Sequence, residues 1–549
     1  MIRLRVRAFV IVIAIALSVA VFDAAAQDVS TSAAPPAGGF RIAGTVVSKI
    51  DGHPIAGALV AIASTQARQQ PLSVATSEDG KFEFNGIPAG KYSLNGAKRG
   101  FIPAAYDQHD QFSTAIVTGA GIDTEHLVLK LDPNSVISGK VLDEAGEPVR
   151  DATVSLYRDN HFEGAFRIQN IRGAQTNDLG EFEIPSLTPG TYFLSAGAQP
   201  WYAVHPPSGS SRSSEGFDSS LDVTYPTTYY GDVTDAESAT PISIRGGEHL
   251  QLDVHLNPVR SLHVIVHVPS SGDNQFPFPQ FEQTGFDGSV PVQRTENRMV
   301  TPGTWEISGI PVGKYNVRLM GQNSAGQING VNIDASTPEL DTSTAEPMCS
   351  VKVSVSYGDA TPTGPHGVML QSSTSRINAG RPLDSKNEAQ FENVTPGRYE
   401  VFVFGGGSRF SVGRLQAEGA TVAGHTVTLT SGASATLLVS AMKGTAEIEG
   451  VAKRSGKPVA GAMVVLVPRD PGGNHDLFRR DQSDLDGTFV FHNVLPGSYT
   501  AVAIEKGWDL DWAVPELILP YAKHGVPIQV ADKPAQHLSF SAPVEAQQK

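Results

Sequence analysis

Aromatic side chains that could bind a ligand are concentrated at two places in the sequence. Aromatic residues make up only 7% of the chain, yet four candidate rings lie within one stretch of 30 residues, and two tryptophans lie close together near the C-terminus. Flat rings on loops can stack on sugar rings or contact a protein partner. The alternative is that these rings close the end of a hydrophobic core. The candidates are Trp201, Tyr202, Tyr229 and Tyr230, followed by Trp508 and Trp512.

The sequence contains no signature of a hydrolase. None of the 15 histidines has glutamate three residues later, as a zinc carboxypeptidase requires, and no His-Glu-x-x-His or Gly-x-Ser-x-Gly segment occurs. Asp484 and Asp486 precede Gly487 in a segment that resembles the start of a calcium loop, but the further ligands are missing. Aspartate before glycine is ordinary β-turn composition. We therefore predict no enzymatic activity, no metal site and no cofactor.

One short segment recurs five times along the chain. Each copy has a glycine two residues before a tyrosine and an aliphatic residue three before the glycine, and the tyrosines are 100, 123, 84 and 100 residues apart. Such a repeat indicates an array of similar domains, because about 100 residues is a common domain length. The copies are centred on Gly90 and Tyr92, Gly190 and Tyr192, Gly313 and Tyr315, Gly397 and Tyr399, and Gly497 and Tyr499.

Strands with alternating hydrophobic residues flank each copy. In the first copy, Phe82 and Phe84 precede the turn, and Tyr92 and Leu94 follow it on one face. Proline and glycine supply the backbone angles of a tight turn. We predict a strand, a turn and a second strand, with the tyrosine ring in the core and its hydroxyl bonded to nearby backbone, as in the tyrosine corner of β-sandwiches. The alternative, five rings lining binding sites, is weaker because a catalytic motif need not be copied five times.

Further shared segments surround the turn in three of the domains. They follow the succession G-x-V, G-x-P-V-x-G-A-x-V, T-x-x-D-G-x-F and P-G-x-Y. In the second domain, the corresponding segments are residues 139–141, 146–154, 176–182 and 189–192. This succession resembles the carboxypeptidase regulatory-like domain. The resemblance implies a transthyretin-like, seven-stranded Greek-key sandwich, similar to the B-type repeats of collagen-binding surface proteins and to carbohydrate-binding-like sandwiches. It covers domains one, two and five, whereas domains three and four keep only the aromatic strand and the turn.

The sequence therefore predicts an all-β chain of about five tandem, transthyretin-like and Ig-like β-sandwiches. The 55 glycines and 37 prolines among 549 residues suit a turn-rich all-β protein, and no amphipathic helical pattern follows residue 26. Cys349 is the only cysteine, which excludes an intrachain disulfide, and its stretch looks polar and poorly patterned. The predicted sandwiches span 40–132, 133–257 with a Ser-rich loop insertion, 258–346, 347–442 and 443–541, with a tail at 542–549.

The N-terminus has the pattern of a secretory signal. Arg3, Arg5 and Arg7 precede an apolar run at 8–22, and Ala24 to Ala26 offer a cleavage site. We predict a signal peptide at 1–26, a disordered linker at 27–39 and no membrane span after cleavage, with an uncleaved anchor as the alternative. The net charge of −15 argues against nucleic acid and anionic membrane partners. The expected location is periplasmic or extracellular.

These features predict an exported, non-catalytic binding or structural protein. The leading interpretation is a module that binds a carbohydrate or a cell-envelope protein, because a passive spacer needs no clustered loop aromatics. The alternatives are a passive spacer or adhesin-like stalk, and a stand-alone regulatory partner of a peptidase or an outer-membrane transporter. The oligomeric state stays open. The loop end of the second domain, at Trp201 to Tyr230, is the first candidate site, and the end of the fifth, at Trp508 and Trp512, is the second.

Overall fold

The structure is a computed structural model of the chain. The predicted signal peptide, almost all of the predicted linker and most of the Ser-rich loop of the second domain lie outside the described residues. The described residues are 39–67, 69–119, 121–161, 164–206, 218–269, 276–286, 288–292, 295–321, 326–358, 362–372, 378–405 and 410–549.

The described strands form five successive units, each with its own hydrophobic core. We call them unit one (40–131), unit two (135–255), unit three (262–347), unit four (349–443) and unit five (446–548). This architecture confirms the predicted all-β fold class of tandem β-sandwiches. Each unit is held together by apolar side chains that alternate along its strands and meet between its two sheets.

All five units share one strand arrangement. The first long strand pairs antiparallel with the strand that enters the Gly-x-Tyr turn and parallel with a strand near the end of the unit. The strand that begins at the turn glycine belongs to the second sheet. It pairs antiparallel with the second long strand of the unit, which comes earlier in the chain. The turn therefore carries the chain from one sheet of the sandwich to the other in every unit.

The strands of units one and two are short and separated by tight turns. In unit one they are Phe40–Ser48, Leu59–Ser64, Leu72–Ala75, Lys81–Ile87, Gly90–Ala97, Ala104–Ala105, Ile116–Thr118 and Leu127–Leu131. In unit two they are Ser135–Leu142, Thr153–Asn160, Arg167–Gln175, Glu181–Leu187, Gly190–Gly197, Val223–Thr224, Thr228–Tyr229, Ile242–Ile244, His249–Gln251 and Val254–His255. Val259–Arg260 follows and pairs with Val223–Thr224, which ties unit two to the start of unit three.

Units three and four have the same two-sheet plan. The strands of unit three are Leu262–His267, Phe278–Gly285, Gly288–Pro291, Glu296–Thr301, Thr304–Ile310, Gly313–Met320, Gly326–Ile333, Glu339–Asp341 and Glu346–Pro347. Those of unit four are Cys349–Ser356, His366–Ser372, Asn378–Pro382, Glu388–Val394, Gly397–Gly405, Phe410–Glu418, Thr421–Ala423, Thr426–Leu429 and Ser434–Lys443. Cys349 is the buried first residue of its strand, not part of a poorly patterned segment as expected.

In unit five the two sheets are joined into one through the last strand. The strands are Ala446–Arg454, Lys457–Pro458, Met463–Pro468, Arg479–Gln482, Thr488–Val494, Gly497–Glu505, Val526–Val530, Gln536–Ser539 and Val544–Gln548. The predicted tail at 542–549 is therefore wrong. Val544–Gln548 pairs with both Ala446–Arg454 and Gly497–Glu505, because the side chains of Val544 and Ala546 alternate into the core.

Helical structure is scarce in the described residues. One α-helix, Pro515–Ala522, packs against the outer face of the unit-five sheet, with Ile518 fully buried. It was not predicted, because eight residues are too few for a clear helical period and Pro520 lies inside it. Because the helix covers this face, all six residues of Met463–Pro468 are buried. The short 3-10 segments are Ser219–Leu221, Ala236–Ser238 and His475–Leu477.

The five repeated tyrosines lie in the cores. Their exposed fractions are between 1% and 7%, and each hydroxyl donates to the carbonyl oxygen of the residue four positions earlier, over 2.6–3.1 Å. This is the geometry of a tyrosine corner. At Gly497, φ is 156° and a Cβ would lie 3.2 Å from the Tyr499 ring, so a side chain there would press on the ring that it precedes.

Candidate functional site

Unit five contacts three other units and not only its neighbour in the sequence. Towards unit one, Gln482 donates to the carbonyl of Asp107 at 2.6 Å. Towards unit two, the amide of Ala513 donates to the carbonyl of Gly164 at 2.9 Å. Towards unit four, the Asp476 carboxylate accepts from the amide of Val412 at 2.8 Å. The chain therefore closes on itself, and residues far apart in sequence meet around unit five.

A cavity of about 510 Å³ lies where these four units meet. We call it the junction cavity. Its walls come from loops and strand ends of units one, two, four and five. Its lining includes Phe112, Arg167, Glu400, Phe404, Arg480 and Trp512. Its volume falls within the range of about 300–1,000 Å³ that is typical of small-ligand sites.

Arg480 lies in a cage of aromatic rings on one wall of the junction cavity. Its guanidinium carbon is 5.0 Å from the ring centroid of Phe112, 5.4 Å from that of Trp508 and 4.9 Å from that of Trp512. Its Nη2 donates to the Asp110 carboxylate at 2.9 Å, and its side chain is only 4% exposed. Burial lowers the pKa of Arg480 from its ordinary value. The rings and the carboxylate hold the guanidinium in one position.

Two donors on this wall lack partners. Among the described residues, Nη1 of Arg480 and the indole Nε1 of Trp512 are buried and have no hydrogen-bond partner. Both residues line the junction cavity. A buried donor without a partner costs roughly 1–3 kcal/mol, and more when it is charged. Both atoms have almost no accessible surface, so they are enclosed within the wall and do not face the cavity.

The acidic side chains of the cavity wall are already paired. Glu400 of unit four accepts from the backbone and ring nitrogens of His475 in unit five. Asp476 accepts from the amide of Val412 and bonds the ring of His425 at 2.5 Å. The hydrogen bond that the His475 ring donates to Glu400 raises the pKa of His475 above its ordinary value. These pairs join units four and five, and they give both carboxylates hydrogen-bond partners.

The aromatic cluster predicted in unit two does not form one exposed surface. Trp201 is 86% exposed and meets the ring of Tyr202 edge-on. The hydroxyl of Tyr202 donates to Glu144, which also accepts from Tyr225 at 2.8 Å. Burial, followed by this bond to Glu144, raises the pKa of Tyr202 to about 12. The binding role of Trp201 and Tyr202 stays a prediction.

The other two predicted rings of unit two close cores. Tyr229 is 6% exposed and packs against Phe286 of unit three, with ring centroids 5.3 Å apart. Tyr230 packs against the core of unit two. Tyr229 is therefore not an exposed loop ring as the binding interpretation required, and the core-closing alternative describes its environment.

The two predicted tryptophans of unit five have different environments. Trp508 stacks on His109 of unit one at 4.7 Å, and its indole nitrogen donates to the carbonyl of Gly461. Trp512 packs on Phe478 and also lines the junction cavity. Trp508 thus supports the contact between units one and five, and Trp512 is the predicted residue that reaches the cavity.

Sequence reasoning did not identify Arg480, Phe112 or Phe404 as candidates. One signal was available: Met463–Pro468 reads as an uninterrupted apolar run instead of an alternating one. Such a run indicates a strand with both faces covered. It would have shown that the outer face of unit five is packed, although not against which units.

The described ranges hold neither a candidate metal site nor a membrane-spanning helix. No group of three or more His, Cys, Asp or Glu side chains there is arranged to hold a metal ion. No helix within those ranges is long and apolar enough to cross a membrane. Cys349, which is buried, donates its thiol to the carbonyl of Thr430, and burial raises the pKa of the thiol.

Comparison with known proteins finds a family similarity in the first two units. Residues 41–120 and 136–208 match the model of the carboxypeptidase regulatory-like domain, which confirms the resemblance for domains one and two. The resemblance of domain five stays a prediction. No curated protein matches the chain.

Three solved structures illustrate the remaining similarities. The TIE protein of Bacillus anthracis is 10% identical, with 73% of this chain and 74% of that one covered and a TM-score of 0.17. The minor pilin GBS52 of Streptococcus agalactiae is 17% identical, with coverages of 42% and 99% and a TM-score of 0.19. A streptococcal ancillary pilin is 12% identical, with coverages of 55% and 98% and a TM-score of 0.20. TM-scores this low carry no argument about function.

Proposed function

We propose that this chain, whose first two units are carboxypeptidase regulatory-like domains, is an exported, non-catalytic protein that binds a carbohydrate in the junction cavity. The observation that supports this most is the cavity itself, because four of the five units contribute to its walls. Aromatic rings can stack on the apolar faces of a sugar, and polar side chains beside them can bond its hydroxyls. The basic and apolar residues at the N-terminus support export, to the periplasm or beyond the cell.

The contacts of unit five favour a binding protein over a passive stalk. A stalk needs contacts only between consecutive units. Here Arg480 of unit five pairs with Asp110 of unit one, and His161 of unit two lies 2.6 Å from Asp511 of unit five. These contacts fold the array back and enclose a cavity, which a spacer would not require.

Calorimetric titration with a panel of neutral and acidic oligosaccharides tests this function. Trp512→Ala should abolish the binding that the unchanged protein shows, because the substitution removes a wall of the cavity. Trp201→Ala is the matched control, since this exposed tryptophan does not line the cavity. Loss of binding in Trp201→Ala with retention in Trp512→Ala would move the site to unit two. Failure of the whole panel to bind would contradict a carbohydrate ligand.

A further inference from the structure

One wall of the junction cavity is the outer face of a sheet of unit four. Along Gly397–Gly405, Val401 and Val403 belong to the core of the unit, so Phe402 and Phe404 lie on the opposite face of the sheet. Both phenylalanines line the cavity. Outward positions of an antiparallel sheet are commonly polar. Two aromatic rings at such positions therefore indicate a face that contacts something other than water.

The ring of Phe404 lies over the backbone of two glycines. Phe404 pairs with Gly367 of the neighbouring strand, and a Cβ at Gly367 would lie 2.4 Å from Cζ of the ring. A Cβ at Gly380, one strand further, would lie 3.9 Å from Cε1. Because neither glycine has a side chain, the ring extends across the neighbouring strands, and Gly367 is buried beneath it.

The rest of the Phe404 ring is open to the cavity. The side chain is supported from below by Gly367 and is still 46% exposed. Met369 pairs with Phe402, and both line the cavity beside Phe404. These three side chains form an apolar strip on the outer face of unit four. An apolar strip with an exposed aromatic ring suits a ligand that has an apolar face of its own.

Three charged side chains of the cavity already have partners of opposite charge. Glu400 bonds His475, Asp476 bonds His425, and Arg480 bonds Asp110. A ligand without charge can therefore occupy the cavity and leave these three pairs intact.

Uncharged polar groups line the cavity as well. Gln111 of unit one and Gln371 of unit four belong to its walls. A carboxamide has both donors and an acceptor, so it can bond hydroxyl groups in either direction. The cavity thus offers an apolar strip together with amide groups, which suits a neutral ring that carries hydroxyls.

From these contacts we infer that Phe404 is a stacking platform in the junction cavity, and that the cavity selects neutral pyranoses with equatorial substituents, as in β-linked glucose chains. This inference rests on the proposed function and specifies its ligand class. When all ring substituents are equatorial, the two faces of the sugar carry only C–H groups, which pack on the face of an aromatic ring. The hydroxyls then lie at the rim of the sugar, where Gln111 and Gln371 can bond them.

Calorimetric titration of the full chain with cellotetraose tests the role of Phe404. Phe404→Leu keeps an apolar side chain over Gly367 but removes the flat ring, so it should weaken binding by about threefold to tenfold. Phe404→Tyr keeps the ring and should keep the affinity. Phe166→Leu is the matched control, because Phe166 is 50% exposed and is not among the residues that line the cavity, and it should bind as the unchanged protein does.

A second comparison uses the unchanged protein and does not depend on how a variant folds. Methyl β-glucoside and sorbitol carry similar hydroxyl groups, but only the glucoside has a ring with a C–H face. We expect the glucoside to bind more tightly than sorbitol. Equal affinity for the two would overturn stacking on the platform. Tighter binding of methyl β-glucuronoside than of methyl β-glucoside would contradict selection of a neutral sugar.

The outcomes separate this inference from the function beneath it. Equal binding of cellotetraose by Phe404→Leu and the unchanged protein, or equal losses in Phe404→Leu and Phe166→Leu, would overturn the platform and leave carbohydrate binding intact. Binding of other oligosaccharides but not of cellotetraose would overturn the ligand class alone. Binding of no oligosaccharide would overturn the proposed function itself.

Discussion

Nζ of Lys91 in unit one lies 2.6 Å from Oδ2 of Asp484 in unit five, although 393 residues separate them in the sequence. The two side chains are 21% and 15% exposed. Lys91 also donates to Thr488, and Asp484 also accepts from the amide of Ala115. The pair therefore belongs to a polar network that joins the first and last units.

Replacement of Lys91 by methionine should destabilise this contact. The substitution keeps the length of the aliphatic stem but leaves the carboxylate of Asp484 without its cation. Loss of a partly buried hydrogen bond to a charged group costs about 1–3 kcal/mol. We expect a lower unfolding temperature by calorimetry. Lys130→Met, an exposed lysine of unit one, is the control, and equal effects of the two substitutions would argue against the contact.

Tyr315→Phe should destabilise unit three. It removes the hydroxyl that donates to the carbonyl of Pro311 at 2.6 Å inside the core and leaves this carbonyl unpaired. We expect a loss of about 1–2 kcal/mol, measured as a lower urea midpoint by circular dichroism. Lys314→Ala changes the exposed neighbour and should have little effect. A midpoint for Tyr315→Phe equal to that of the unchanged protein would contradict the tyrosine corner.

Asp481 should make stability depend on pH in the acidic range. Burial raises the pKa of its carboxyl to about 6. The folded protein therefore holds the proton of Asp481 more tightly than the unfolded chain does. The protonated carboxyl contributes stability at low pH, and this contribution is lost as the pH rises from about 4 to about 6.

Asp481→Asn tests this dependence directly. The amide is neutral at every pH, and its oxygen can still accept from the amide of Val490. The variant should unfold at a higher temperature than the unchanged protein at pH 7, by about 1–3 kcal/mol of stability, and at nearly the same temperature at pH 4. A difference that is the same at both pH values would show that the carboxyl does not titrate as described.

His475 should act in the same direction but in a higher pH range. The hydrogen bond that His475 donates to Glu400 raises the pKa of His475, so the folded protein favours the protonated ring. The resulting stability is fully present below about pH 6.5 and is lost as the pH rises through the raised pKa. His475→Gln should therefore lower the unfolding temperature more at pH 6 than at pH 9. His492→Gln, an exposed histidine of unit five, is the control, and no pH dependence in His475→Gln would refute the pairing.

The parts of the fold that sequence analysis could predict are local. The turn at Gly497 and Tyr499 is encoded by residues within a few positions of each other, and alternation identifies the strands on either side. These features repeat five times, so the number and class of the units follow from them. Trp512 could also be predicted as a candidate site residue from the sequence, because its side chain is a large aromatic ring.

The closure of the chain was beyond sequence analysis. Asp484 lies shortly before a glycine, as aspartates of ordinary β-turns do. Nothing near it in the sequence indicates Lys91 as its partner. The cage around Arg480 likewise depends on Phe112, which comes from a different unit. Contacts between units depend on how the sandwiches pack, and this packing has no fixed spacing in the sequence.

Small-angle X-ray scattering of the purified protein tests the closure of unit five on unit one most directly. The junction cavity exists only if these units meet, so the scattering profile bears on every proposal above. The radius of gyration and maximum dimension should equal those of the closed arrangement in which unit five contacts units one, two and four. A longer maximum dimension, as expected for an extended array in which only consecutive units touch, would contradict the closed arrangement and the cavity with it.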